Sequence, residues 1–313
     1  MATFKLLASI SLLFSIGLVN AAGPKFAPYF DVTFLDPGLP TISSRSGQND
    51  FTLAFVLGGT EGCVATWASQ FALDDPTILN PIKEVQNRGG EMILAFGGAL
   101  GNYLEHRCSS ASDLANAYKR ALDIVGSNHL DIDVEAPIDL NIVNGALAQV
   151  QRERPEVTVS YTLMVQGDDY GVTPSLGVDV LVSAKRLGVR VDVVNAMTME
   201  FPSSKPSWGD AVISAANATL YQMKEIWPEK SDQELRKMLG VTPMIGRNFN
   251  GKKFETSHGR QLVDWANENG IGYLSFWSSG RDNGGCNDII SPTCSGVEQD
   301  EFEFIRIFQN FRG

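Results

Sequence analysis

Asn128-His129-Leu130-Asp131-Ile132-Asp133-Val134-Glu135-Ala136-Pro137 alternates apolar and acidic residues with a period of two, the signature of a β-strand with different chemistry on its two faces. Leu130, Ile132 and Val134 share one face. Asp131, Asp133 and Glu135 share the other, with Cα atoms about 6.6 Å apart from one carboxylate to the next. Seven further β-rich runs flank this one, at 26–34, 51–57, 92–96, 157–164, 191–198, 241–245 and 272–277. Amphipathic stretches at 111–125, 140–154, 208–227 and 257–269 lie between them, and 302–311 reads as a closing helix. Several runs are almost continuously apolar, as expected for strands covered on both faces. Gly58-Gly59, Gly97-Gly98, Pro202, Gly246 and Gly280 punctuate strand ends. Eight βα units with no linker between them predict an α/β fold, a single-domain (β/α)8 TIM barrel. A doubly wound open sheet is the competing reading; it usually carries a Gly-rich phosphate turn after its first strand, which is absent here. In the barrel, the apolar face of the fourth strand meets the helices and the three acids point inward, toward the end where barrel active sites lie.

The chain has 313 residues, 43% hydrophobic and 19% charged, enough to build a large core and unlike a disordered sequence. Its 36 acidic against 25 basic residues leave a formal charge of −11, which argues against nucleic acid or an anionic membrane as partner. Lys5, the apolar run 6–19 and Val19-Asn20-Ala21 predict a cleaved signal peptide over 1–21, the run being too short to span a bilayer. A secreted, monomeric product is expected, in a compartment where disulfides persist. Four cysteines allow three pairings. Cys286 and Cys294 close a short polar loop and are natural partners, which leaves Cys63 with Cys108. Asn217-Ala218-Thr219 is a glycosylation sequon.

Three inward carboxylates are costly to bury unless function retains them. Like charges at this spacing cannot all ionise freely, so at least one should hold its proton at raised pH. Glu135, last on the strand, is the natural general acid. A Ca²⁺ loop fails, because Ala136 and Ile142 stand where Gly and Glu are needed. His106, His129 and His258 show no ligand spacing, so neither a metal nor another cofactor is expected. A solvated strand is the remaining bland reading. Gly246 to Lys252 mimics a phosphate-binding loop, but Lys253 replaces the hydroxyl residue that would hold Mg²⁺, so a Gly/Asn turn is expected. There is no G-x-S-x-G or H-E-x-x-H motif.

Asp131-x-Asp133-x-Glu135 on a fourth strand resembles the D-x-x-D-x-D-x-E signature of glycoside hydrolase family 18, the chitinase family. Ala95-Phe96-Gly97-Gly98 is similar to that family's third-strand S-x-G-G segment. Val194-Asn195-Ala196-Met197-Thr198-Met199-Glu200 resembles its sixth-strand Met-centred block, and Trp277, within Leu274-Ser275-Phe276-Trp277-Ser278, its eighth-strand Trp. The resemblance implies a catalytic barrel over 22–313 that hydrolyses β-1,4 N-acetylglucosamine linkages in chitin or chito-oligosaccharides, with retention and without cofactor. It implies that Glu135 is the acid, that Asp133 orients the substrate's acetamido group, and that Asp131 shares a proton with Asp133. It also implies an apolar floor at Trp277 and substrate contacts at Gly97, Gly98, Met197, Met199 and Glu200. Tyr161 is expected to face inward as a further contact, with Trp67, Tyr170 and Trp208 as loop aromatics able to stack on sugars. Asn128 and His129 depart from the usual Asp and Gly, and Met199 stands where many members place a Tyr. A non-catalytic glycan-binding lectin and an endo-β-N-acetylglucosaminidase acting on N-glycans share this framework and are the alternatives, with a metal-dependent barrel enzyme behind them.

Overall fold

A computed structural model describes residues 23–313; the predicted signal peptide lies outside the described residues. Eight parallel strands form the barrel: β1 (Tyr29–Asp31), β2 (Phe51–Gly58), β3 (Met92–Gly97), β4 (His129–Val134), β5 (Thr158–Gly167), β6 (Val193–Met197), β7 (Leu239–Thr242) and β8 (Tyr273–Leu274). Each pairs with the next, from β1 on β2 through to β7 on β8, with β2 on β3 as its direct parallel neighbour. The ring is completed between β8 and β1 by a single parallel bridge, Phe26 to Leu274. There Leu274 N donates to Lys25 O at 3.0 Å and Tyr29 N to Phe276 O at 3.1 Å. The strand runs read from the sequence are all present, most with ends displaced by a few residues.

The helices are α1 (Leu39–Ser46), α2 (Pro76–Gln86), α3 (Ala111–Val125), α4 (Leu140–Glu153), α5 (Asp179–Leu187), α6 (Trp208–Ile226), α7 (Asp232–Met238), α8 (Thr256–Asn269) and α9 (Glu303–Phe308). The bounds of α3 are legible because both ends are capped. The Ser110 hydroxyl accepts from Asp113 N, and Gly126 takes the left-handed conformation that stops the helix. Its buried stripe (Leu114, Tyr118, Ala121, Leu122, Val125) recurs at helical spacing and packs on the outside of the barrel, where Tyr118 meets Phe96 edge-on at 4.8 Å.

The main core lies between strands and helices and contains Leu130, Ile132 and Val134. The barrel interior is filled separately. Ala27, Ile93 and Tyr273 form one small cluster, and Tyr29, Ala54 and Ala95 form another with Phe55 and Trp277 packed on it. Small side chains at Ala54 and Ala95 leave room for the acids of β4, since Ala95 pairs with Asp131 across the β3–β4 ladder. Three short hairpins, the first two unforeseen in the sequence, lie in loops that follow barrel strands: Ala65–Trp67 with Phe71–Ala72, the return strand Gly171–Val172 on β5, and Gly246–Arg247 with Lys253–Phe254. The last is the expected Gly/Asn turn. No helix of the described residues is long and apolar enough to cross a membrane.

Candidate active site

The period-two reading of β4 holds: Asp131 and Asp133 are 1% and 3% exposed inside the barrel, and Glu135 is half-buried just past the strand end. The three acids meet different surroundings. Asp131 is saturated with donors from neighbouring strands. Tyr29 Oη donates to Oδ2 at 2.8 Å, Ser160 Oγ to Oδ1 at 2.5 Å, and Thr162 Oγ1 lies 2.9 Å from Oδ1. Thr162 is itself committed: Asn195 Nδ2 donates to its oxygen at 2.9 Å, and Thr242 Oγ1 donates to Asn195 Oδ1 at 2.8 Å. A relay from β7 through β6 and β5 thus aims the Thr162 proton at Asp131. Even so, burial outweighs these donors and holds the Asp131 carboxyl at about 6. Asp133 has no such help. Its Oδ1 is buried without a partner, and burial, then the charges of Glu135 and Asp131, push its carboxyl well above the usual range. Burial also raises Glu135.

Gly97 and Gly98 give this strand the room it needs. Gly97 is in the left-handed region, and a Cβ there would lie 2.1 Å from the Asp133 carbonyl oxygen; one on Gly98 would lie 2.8 Å from the Phe55 ring. Gly98 N donates to Asp133 O at 3.0 Å. Tyr103, which the sequence reading overlooked, ties the same segment together. Its hydroxyl donates to Gly98 O at 2.8 Å and accepts from Glu135 N at 2.9 Å. His106 stacks on Tyr103 at 5.2 Å and reaches Pro137 O at 2.7 Å, bracing the turn after Glu135.

Trp277 is half-buried at the barrel mouth, stacked with Phe55 (centroids 5.7 Å, planes 14° apart) and tilted against Tyr29 at 5.9 Å. Met197 is buried at the inward end of β6, and Met199 is half-buried beyond it. Three expected contacts, Tyr161, Trp67 and Trp208, are corrected. Tyr161 points outward, because it pairs with Ile132 in the β4–β5 ladder while Ser160 and Thr162 pair with Asp131 and Asp133. Its hydroxyl donates to Asn144 Oδ1 on α4 at 2.5 Å. Glu200 spends both carboxylate oxygens on the hairpin after β7, accepting from Phe249 N and Asn250 N at 2.8 Å each. Trp67 is fully buried with its Nε1 donating to Leu73 O, and Trp208 is buried against Phe201; both are core. Tyr170 remains exposed in its loop.

His129 sits at the opposite end of β4 from Glu135, on Thr158 Oγ1 at 2.7 Å, so the departures from the family pattern at 128–129 fall at the barrel floor. The signal for Ser160, Thr162 and Asn195 was available: small polar residues at inward positions, in register with the acids.

Cys63 is bonded to Cys108 and Cys286 to Cys294, as expected. Asn217 is exposed in the middle of α6, while Thr219 is buried with its hydroxyl on Ala215 O. Among the described residues no group of three or more His, Cys, Asp or Glu side chains is placed to hold a metal ion.

No family model matches the chain. It is 31% identical to a probable bifunctional chitinase/lysozyme of Escherichia coli over 95% of its own length, and 30% identical to endochitinase 11 of Metarhizium anisopliae over 85%. It spans only 36% and 54% of those two relatives. The structure is similar to active domain 2 of the chitinase from Pyrococcus furiosus, with a TM-score of 0.85 and 37% identity, covering 92% of this chain and 95% of that one. That domain has been solved with catalytic-site mutations and in complex with chito-oligosaccharides. A family 18 chitinase of Flavobacterium johnsoniae shares the fold at 11% identity, TM-score 0.59, over 92% of this chain and 93% of that one.

Proposed function

Because the chain belongs to glycoside hydrolase family 18, the chitinases, we propose that it hydrolyses β-1,4 linkages between N-acetylglucosamine units of chitin by substrate-assisted, retaining catalysis. The observation that carries this reading is the contrast along β4: a saturated Asp131, an Asp133 with a bare buried oxygen, and a half-buried Glu135 at the mouth whose pKa burial raises. Glu135 donates its proton to the glycosidic oxygen as the bond to the anomeric carbon breaks. The acetamido oxygen of the same sugar attacks that carbon and forms an oxazolinium ion, the family's exception to the two-carboxylate scheme. In its ionised form, with the proton shared between the two aspartates residing on Asp131, Asp133 accepts the acetamido N–H on its free oxygen and balances the developing cation. Water, deprotonated by Glu135, then opens the ring and restores the acid. Asp131 anchors the stack from below, and Trp277, backed by Phe55, forms the apolar floor under the reacting sugar. A half-buried Met199 offers no strong hydrogen-bond donor to the acetamido oxygen, so orientation falls to Asp133.

Secretion after cleavage near Ala21 is part of the same reading; two disulfides favour it.

Turnover of an N-acetylglucosamine hexamer tests the reading. Glu135→Gln should lower kcat by roughly 10²–10⁴-fold with binding retained, and wild-type turnover in that variant removes Glu135 as the acid. De-N-acetylated polymer should be nearly inert; equal rates on both polymers exclude an acetamido nucleophile. Activity should survive EDTA.

A further inference from the structure

Ten large apolar side chains are exposed among the described residues. Two, Val182 and Tyr221, lie on helices. The other eight all lie in loops that follow a barrel strand, on the face where Glu135 and Trp277 open: they include Leu35 after β1, Phe71 after β2, Leu100 after β3, Phe249 after β7 and Ile289 after β8. None lies in a turn leading from a helix into the next strand; the apolar residues there, such as Val157, Val189 and Ile271, are buried. Scattered single exposed apolar residues need no explanation, but confinement to one face does.

The loops that carry them are also braced. Cys63–Cys108 ties the hairpin after β2 to the loop after β3, and Cys286–Cys294 closes the loop that holds Ile289. The Glu200 carboxylate grips the backbone of Phe249 and Asn250. Buried Arg281 donates to Ile245 O and Arg247 O at 2.9 Å and to Ser291 O, joining the Phe249 hairpin to the disulfide loop. A braced apolar surface loses little entropy when it docks.

Resting on the reading of the site as a chitin cleft, we propose that this rim is a docking surface for the flat face of solid, N-acetylated polysaccharide, so that the barrel itself adsorbs to its substrate. Leu100 stands two residues after Gly98, and Phe249 is held by Glu200 next to Met199, so the rim adjoins the site. Its apolar groups suit the C–H faces of pyranose rings, and N-acetylation leaves the polymer uncharged, so it is compatible with a chain of net charge −11 that anionic surfaces repel.

The test is depletion of the full chain from solution by particulate chitin, alongside hexamer turnover. The triple variant Leu100→Ser, Phe249→Ser, Ile289→Ser should partition at least ~10-fold more weakly, with hexamer kcat/KM held within about 2-fold. Val182→Ser with Tyr221→Ser should change neither. Leu100→Ser alone, at a side chain 83% exposed and free of packing, keeps the test open if the triple variant unfolds. Unchanged adsorption of the rim variants, or an equal loss in the helix pair, overturns the proposal. So does a loss of adsorption that only tracks lost hexamer turnover, and so does rim-dependent binding to phosphatidylcholine vesicles as strong as to chitin. Rim-dependent adsorption without hexamer cleavage would uphold docking and remove the hydrolytic reading.

Discussion

Asp131 and Asp133 are neighbours on one face of one strand, yet only the first is given hydrogen-bond donors, and this difference sets their surroundings apart. Asp131 holds its proton up to about pH 6 in the folded chain, against an ordinary value of 3.8. The folded state therefore binds that proton more tightly than the unfolded state. Its stabilisation is complete below about pH 4 and is lost as pH rises through 6, by at most about 3 kcal/mol. Asp133 acts in the same direction. Urea midpoints between pH 4 and 8 should fall across this window, and Asp131→Asn should flatten the slope; an unchanged slope would mean that Asp131 titrates normally. The same raised acidity range applies to catalysis, so hexamer turnover should decline on an alkaline limb above the ordinary glutamate value of 4.5. Tyr103 makes a separate prediction. Tyr103→Phe leaves Glu135 N and Gly98 O without their partner, which should cost about 1–3 kcal/mol of stability. It should also lower kcat more than it raises KM, because the peptide carrying the acid loosens.

At the level of elements, the strand ladders decide which side chains meet. Asp131, Asp133, Ser160 and Thr162 face one another because β4 and β5 pair residue for residue, and the same pairing sends Tyr161 outward with Ile132. Alternation within β4 was plain in the sequence because its two faces differ so sharply. Alternation within β5 was not, because Val159, Tyr161 and Leu163 are apolar on the helix side while Ser160 and Thr162 are neutral, and an aromatic amid them attracts a functional reading. Helix α3 was legible to the residue because Ser110 and Gly126 mark its ends, whereas nothing in its own segment revealed that Glu200 accepts two N–H groups from the hairpin after β7. The β3–β4 contact is the least tolerant of these. Gly97→Ala adds a Cβ 2.1 Å from a carbonyl oxygen at a left-handed position, so a loss of at least ~2 kcal/mol is expected by thermal melting. A melting temperature equal to wild type would show that β3 can shift away.

The whole molecule divides its labour between two ends of the barrel. His129 bonds to Thr158 at the floor, while both disulfides and the exposed apolar residues of the loops gather on the face where Glu135 and Trp277 open. By chain entropy, Cys63–Cys108, with a separation of 45 residues, should contribute about 4 kcal/mol and Cys286–Cys294, with 8, about 2.5. Replacing Cys63 and Cys108 by Ser should therefore lower stability more than replacing Cys286 and Cys294, as read from denaturant midpoints; the reverse order would point to strain or residual unfolded structure.

Read alone, the chain already contained the eightfold βα alternation, the three inward acids, the pairing of its cysteines and the acid at the end of the fourth strand. These are local: they follow from the period of side chains along a strand, the caps of helices and the distance between residues close in sequence. Folding alone supplied the unequal surroundings of the three carboxylates, the tie from Tyr103 to Glu135, the Phe55 backing of Trp277, and the commitment of Tyr161 and Glu200 to other partners. Each of these depends on groups from separate strands being brought within hydrogen-bonding or van der Waals range, and no periodicity within a single segment encodes the depth at which one strand lies against the next.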